Sequence, residues 1–160
     1  MSLFPTFPQG EPGTWPELSI YAATVLLEAE GEPEQGKLAV AWVIRNRMDQ
    51  QSASIRTVIL GKDGLAQGDG KPYEGFSCWN DDYVAMRVAR LTNPDPVMVE
   101  ICWRVACAAY WRLIPDPAHG ATFYLNPDLT RQIRPDHKLP SWYDPKRVKL
   151  RVGHHEFLIA

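Results

Sequence analysis

Residues 18–47 read LSIYAATVLLEAEGEPEQGKLAVAWVIRNR. An apolar segment from Leu18 to Leu27 runs straight into a carboxylate, Glu28. Ile20, Ala23, Leu27 and Glu28 share one stripe at helical spacing. The chain then breaks at Gly31 and Pro33, and a second apolar helix is predicted from Lys37 to Met48. Glycine suits the position just past a helix end, and proline the first turn of a new helix. The stretch is therefore a helical hairpin with Glu28 in the last turn of its first arm. A helix C-terminus and apolar neighbours both disfavour negative charge at that point, the condition a general acid needs. The plainer alternative is a solvated acidic corner made of Glu28, Glu30, Glu32 and Glu34. The second helix is apolar nearly all round, which marks burial on most sides. Asn46 falls within it. A buried amide must be hydrogen-bonded, so Asn46 is predicted to clip the Glu28 corner.

The rest of the composition bounds the problem. At 160 residues the chain is one domain with room for a real core. Hydrophobic residues make up 45% and charged ones 22%, ordinary for a soluble globular protein. The net charge of −2 argues against nucleic acid as the main partner. Six tryptophans are many for this length, and they suit either sugar or base faces or a core. The cysteines, Cys78, Cys102 and Cys107, are odd in number and contain no Cys-x-x-Cys, so neither a disulfide framework nor a structural zinc site is expected. Cys102 and Cys107 lie in an apolar helix and read as buried thiols. No stretch approaches a membrane span, and no membrane insertion is expected. The start, MSLFPTFPQGEPGTWPE, has no basic n-region and no uninterrupted apolar h-region. No signal peptide is read there, which implies a chain made in a reducing cytoplasm.

In chain order, residues 1–16 carry four prolines and are predicted to form an irregular arm lying on the domain, which occupies residues 17–160. Pro16-Glu17 opens the first helix. Residues 52–62 dock Ile55, Val58 and Ile59 and end at Gly61. KDGLAQGDGKPYEG is a long loop, and residues 63–80 are expected to form one wall of a cleft. A short helix follows over 81–92, with Asp81 and Asp82 as its cap. A longer one runs over 96–113 with a core stripe of Val97, Ile101, Val105 and Ala108 (or Ala109), ended by Pro115. Ala121 to Leu125 alternates as a strand, Lys146 to Arg151 reads as a strand face, and VKLRVGHHEFLIA closes the chain as a hairpin. The class is α+β, mostly helical, with short strands.

These residues carry a resemblance. LLEAEGEPEQGKLAVAWVIRNR resembles the opening motif of the SleB-type cell-wall hydrolases, known for spore-cortex lytic enzymes and phage relatives. Phe76-Ser77-Cys78-Trp79-Asn80 is similar to that family's Phe-Ser element. Asp116-Pro117-Ala118-His119-Gly120-Ala121-Thr122-Phe123-Tyr124 is similar to its Asp-Pro-Thr-x-Gly-Ala-x-x-Tyr element. Pro140-Ser141-Trp142 and Gly153-His154-His155-Glu156-Phe157 match its closing elements. Ala118 stands where the family usually has threonine, and Phe123 where phage members often carry histidine. The resemblance implies a lysozyme-like, lytic-transglycosylase-type fold acting on peptidoglycan glycan strands, with no metal and no cofactor, and a monomer is expected. It maps the catalytic glutamate onto Glu28.

The activity so implied is cleavage of the MurNAc–GlcNAc bond. Glycoside hydrolysis usually divides its work between two carboxylates. Here the second is not obvious, and a single acid/base, Glu28, fits lytic transglycosylation. Ser77, Trp79 and Tyr124 are the candidates for holding the acetamido group and stacking a sugar ring, with Asn46 as a further contact. The alternatives are a muramidase-type hydrolase, an N-acetylmuramoyl-L-alanine amidase using His119, His154 and His155, and a non-catalytic wall-binding or virion protein. His154 and His155 on a strand would point to opposite faces, which speaks against a shared metal. The expected place of action is the wall, reached after release or with a phage particle.

Overall fold

The computed structural model describes residues 5–61 and 75–159. The loop expected between Lys62 and Glu74 lies outside the described residues. The architecture is α+β and mostly helical. Helices α1 (Glu17–Ala29), α2 (Glu34–Gln51), α3 (Ile55–Leu60), α4 (Val84–Thr92) and α5 (Pro96–Tyr110) come first. Strand β1 (Phe123–Leu125), helix α6 (Pro127–Ile133) and strands β2 (Val148–Val152) and β3 (His155–Leu158) follow.

Helix α1 is the centre of the molecule rather than a helix with one buried stripe. Every residue from Ser19 to Leu27 is buried, because α2, α3 and α5 pack around it. Its small residues, Ala22, Ala23 and Thr24, let those neighbours approach closely. The Tyr21 hydroxyl donates to the Ala41 carbonyl at 2.6 Å and ties α1 to α2.

Between these helices the chain turns as the sequence reading requires, with different means. Pro33 stands one position before α2, at its N-cap, and Gly31 takes no left-handed conformation. The carbonyls at the end of α1 are satisfied from the side instead. The ammonium of Lys37, itself buried, donates to the Glu30 carbonyl at 3.0 Å and to that of Glu32. Helix α2 extends past the predicted Lys37–Met48 at both ends, because apolar spacing marks only its buried part. Its outer turns, including Glu34, Gln35, Gln50 and Gln51, are exposed.

Helix α5 buries Val105, Ala108 and Ala109 of its predicted stripe but not Val97 or Ile101. Val97 is 65% exposed and Ile101 half-buried, whereas Val99, Cys102, Trp103, Val105, Ala106 and Ala109 are buried. The buried side carries the small Cys102, Ala106 and Ala109, which permit close helix packing. Asp95 caps its start, accepting from the Val97 N–H at 2.9 Å. The helix ends at Tyr110, well before Pro115, where Arg112 turns left-handed (φ 54°). Helix α4 begins after a 3-10 turn (Asp81–Tyr83) with Tyr83 at its N-cap, so Asp82 is not its cap.

The strands form one antiparallel sheet in the order β1-β3-β2. Tyr124 pairs with Phe157, and Val152 with His155 across a two-residue turn led by Gly153 (φ +56°). Lys149 and Arg151 face solvent along β2, as the alternation predicts. On the other side, Phe7 in the segment before α1 stacks on Trp103 at 6.4 Å, and the Trp103 indole donates to the Pro5 carbonyl at 3.0 Å.

Candidate active site at the end of the first helix

Glu28 lies in the last turn of α1, half-buried, and two distant segments meet on its carboxylate. The Cys78 N–H donates to Oε1 at 3.2 Å. The Tyr124 hydroxyl donates to Oε2 at 2.7 Å. Burial pushes the Tyr124 phenol well above its ordinary range, and the neighbouring Glu28 charge adds to it. Tyr124 is therefore a neutral donor. Burial, then Glu28, push the Cys78 thiol up as well, so it is a protonated thiol rather than a nucleophile.

The segment that delivers Cys78 is anchored at several points. Phe76 N–H donates to the Ile59 carbonyl at 2.9 Å, seating the chain on the end of α3. A side chain at Gly75 would place its Cβ 2.4 Å from that same carbonyl, so only glycine fits. The Trp79 indole donates to Thr24 Oγ1 at 2.8 Å, one turn before Glu28 on the same face of α1. Arg87 donates to the Cys78 and Asn80 carbonyls at 2.8 and 3.2 Å, and its guanidinium lies over the Trp79 ring at 5.3 Å.

Trp79 is thus an anchor, and the expectation of a sugar-stacking ring is corrected here. It is 3% exposed and packs edge-on against Trp15 at 5.8 Å. A cavity of about 350 Å³ on its other side is lined by Pro8, Trp15, Val84, Arg87 and Leu91, not by Glu28 or Tyr124. Ser77 is half-buried in the same 3-10 turn, next to Cys78. Asn46 is a clip, but on a different segment from the one expected. Its amide donates to Asp116 Oδ2 at 2.9 Å and to the Ala121 carbonyl at 3.0 Å. Asp116 in turn accepts from the Ala118 and Gly120 N–H groups, both at 2.7 Å. Asn46 therefore acts on Glu28 at one remove, by fixing the turn that leads into β1 and Tyr124.

Three further residues belong to the site: Arg47, which the sequence offers only within a motif, His155, offered only as an amidase ligand, and Glu32, offered only in a solvated corner. Arg47 donates from Nε to the Thr122 carbonyl at 2.7 Å, and its guanidinium lies 4.6 Å from the Phe76 ring centre and 5.6 Å from that of Phe123. Burial pulls it below the ordinary arginine value, while Tyr124 and Glu28 pull the other way. The signal for it is its place beside Asn46, just after the apolar run over 38–44. His155 stands edge-on to the Tyr124 ring, 5.2 Å between centres. Glu32, expected in a solvated corner, is buried at 8% exposure. It accepts from the His154 N–H at 2.9 Å and lies 3.2 Å from His154 Nδ1 and 3.8 Å from His155 Nδ1. Both histidines thus approach one carboxylate. Strand alternation does not separate them because His154 sits in the turn and only His155 in β3. His119 is exposed in the 116–121 turn, away from both.

A carboxylate at a helix end, held by a backbone amide from one segment and a phenol from another, is a site for acid–base chemistry. The chain belongs to the cell-wall hydrolase family, whose model matches residues 31–158. That is the family whose motifs the sequence carries, and it makes this protein an enzyme of peptidoglycan breakdown. The match takes in the Cys78 turn, β1 and the closing hairpin, and begins just after Glu28. No curated protein and no solved structure matches the chain. Among the described residues, no helix is long and apolar enough to cross a membrane.

Proposed function

We propose that the protein cleaves the MurNAc–GlcNAc bond of peptidoglycan as a lytic transglycosylase, with Glu28 as its single acid/base. The observation that carries this reading is the pair of hydrogen bonds on Glu28, one from a backbone amide and one from a neutral phenol. Among the described residues, no carboxylate shares that position. Asp82 is exposed beyond the Cys78 turn, and the side chain of Asp81 lies outside the described residues.

In this mechanism Glu28 gives its proton to the glycosidic oxygen as the bond to the muramyl anomeric carbon breaks. The 2-acetamido oxygen shields the resulting cation. Tyr124 and the Cys78 N–H then hold the ionised carboxylate, which takes the proton of the muramyl 6-hydroxyl as that oxygen bonds to the anomeric carbon. The product is a 1,6-anhydro sugar, and Glu28 is protonated again.

Mass spectrometry of digested, purified peptidoglycan tests the proposal. The expected products carry 1,6-anhydromuramyl ends and no new reducing ends. Stoichiometric reducing ends would turn the reading to a muramidase-type hydrolase, and release of stem peptides from intact glycan would turn it to an amidase.

A further inference from the structure

Four of the six tryptophans, Trp15, Trp42, Trp79 and Trp103, are no more than 6% exposed. Trp111 is 54% exposed and Trp142 is 42% exposed. Their surroundings separate these last two. Trp111 sits just past α5, edge-on to Tyr110 at 4.9 Å, beside the Arg45–Asp49–Arg112 charges. Trp142 stacks on Phe123 at 5.3 Å with 31° between the rings, and Phe123 precedes Tyr124 in β1.

From Trp142 the contacts run without a gap to the acid. Phe123 lies under the Arg47 guanidinium, which covers Phe76 on its other side. Phe76 packs on Tyr124 at 6.4 Å, and Tyr124 donates to Glu28. Alternation sends the Phe123 and Tyr124 side chains to opposite sides of β1, and Arg47 joins the two groups again.

The exposed ring is also held in place. Trp142 sits in a turn closed by the Tyr143 N–H on the Pro140 carbonyl at 3.0 Å. The Tyr143 hydroxyl donates to Glu156 in β3 at 2.6 Å, and Arg151 from β2 grips the same carboxylate at 2.8 Å. A large apolar ring that is fixed, backed by a second ring and left open to water is suited to the apolar face of a sugar, which needs a rigid flat partner.

We infer that Trp142, stacked on Phe123, is a sugar-binding platform that holds an N-acetylated amino sugar of the glycan strand away from the bond broken at Glu28. The inference rests on the glycan-cleaving reading of the site. Trp142 has the role that Trp79, being buried, cannot take.

Binding of purified, peptide-free glycan strands to the Glu28→Gln protein tests it without requiring turnover. Adding Trp142→Ala is expected to weaken binding about tenfold, the scale of losing one stacked ring. Trp142→Phe keeps a ring and is expected to recover most of the affinity. Trp111→Ala, which removes an equally exposed indole, is expected to change nothing. Thermal midpoints of all variants show that the fold is kept. Unchanged binding by the Trp142→Ala variant, an equal loss with Trp111→Ala, or no binding by the parent would each overturn the platform. Should Glu28→Gln still cleave while Trp142→Ala loses binding, the acid assignment fails and the platform stands.

Discussion

Glu28 and Glu32 stand four residues apart at the break between α1 and α2, and each accepts a backbone N–H from a distant segment. For Glu28 the donor is Cys78, and for Glu32 it is His154. The difference is enclosure. Glu32 is walled in by its own partners. A Cβ at Gly153 would stand 1.7 Å from its Oε2, and one at Gly36 3.1 Å from its Cβ. Glu28 is half-buried, and its second oxygen is met by a hydroxyl that a substrate-bound state can retain or release. A carboxylate closed in on every side holds chain segments together, while one with a partly open surround has room for a substrate oxygen. Two glutamates of one short stretch are thus divided by packing, not by residue type.

The comparison breaks most sharply under paired substitutions. Glu28→Gln keeps shape and loses the proton. Turnover of peptidoglycan is expected to fall by about 10²–10⁴-fold, the usual contribution of a general acid, with the thermal midpoint close to that of the parent. Near-parental turnover would remove Glu28 from the chemistry. Glu32→Ala is expected to do the reverse. It takes the charged acceptor from the His154 N–H, a bond worth about 1.5–3 kcal/mol in denaturant unfolding, while activity per folded molecule persists. Activity lost at full stability would exchange the two roles.

Gly153→Ala probes the same enclosure from the other side. The position needs a positive φ and has no space for a methyl against Glu32. Strain of this kind is worth about 1–3 kcal/mol, and the displaced Glu32 adds to it. The Glu32→Ala and Gly153→Ala losses are expected to be less than additive, since the first change vacates the space the second one fills. Full additivity in a double-mutant cycle would uncouple Gly153 from Glu32.

A smaller effect is expected on the Glu28 side. Tyr124→Phe keeps the ring against Phe76 and Phe157 and deletes only the donor. The loss of such a bond is worth about 0.5–1.5 kcal/mol, so kcat is expected to fall roughly threefold to tenfold with KM little changed. A change in KM alone would make the hydroxyl a substrate contact rather than a support for Glu28.

The elements with strong local patterns were legible in the sequence. Apolar spacing located α1 and α2 and the buried residues of α3, and alternation with a glycine turn located the hairpin at 148–158. The break at Gly31 and Pro33 put Glu28 at a helix end. What local pattern lacks is the identity of the neighbour. The face of α5 was legible at Val105 and Ala108 but not at Val97 and Ile101, because packing turned inward the side of the helix that carries Val99, Cys102 and Ala106. Trp79 and Trp142 look alike as residues, and only the fold buries one and exposes the other. Tyr124 was brought to Glu28 as the motifs implied, whereas Arg47, Cys78 and the Glu32–His155 support arise from segments that meet only in the folded chain.

His155 lies between the two carboxylates and gives the finest test of how they differ. Glu32, Glu28, His154 and the Tyr124 ring face it. Burial holds its imidazole below the ordinary range, although Glu32 and Glu28 pull it up. The unfolded chain therefore takes up this proton at a higher pH than the folded one does. By linkage, the contribution to stability is full above the ordinary histidine value of about 6.5. It is lost as pH falls from there towards the lower folded value, below which both states carry the proton and the loss is complete. His155→Gln removes the proton site and retains a polar side chain. Its thermal midpoint is expected to fall less steeply than the parent's between neutral pH and about pH 5. If the two curves keep the same slope, the acid sensitivity does not arise at His155. If the variant flattens the stability curve and leaves the pH profile of activity in place, His155 acts in folding and not in the reaction. The enclosed carboxylate and its histidine would then govern folding, and the open one the reaction.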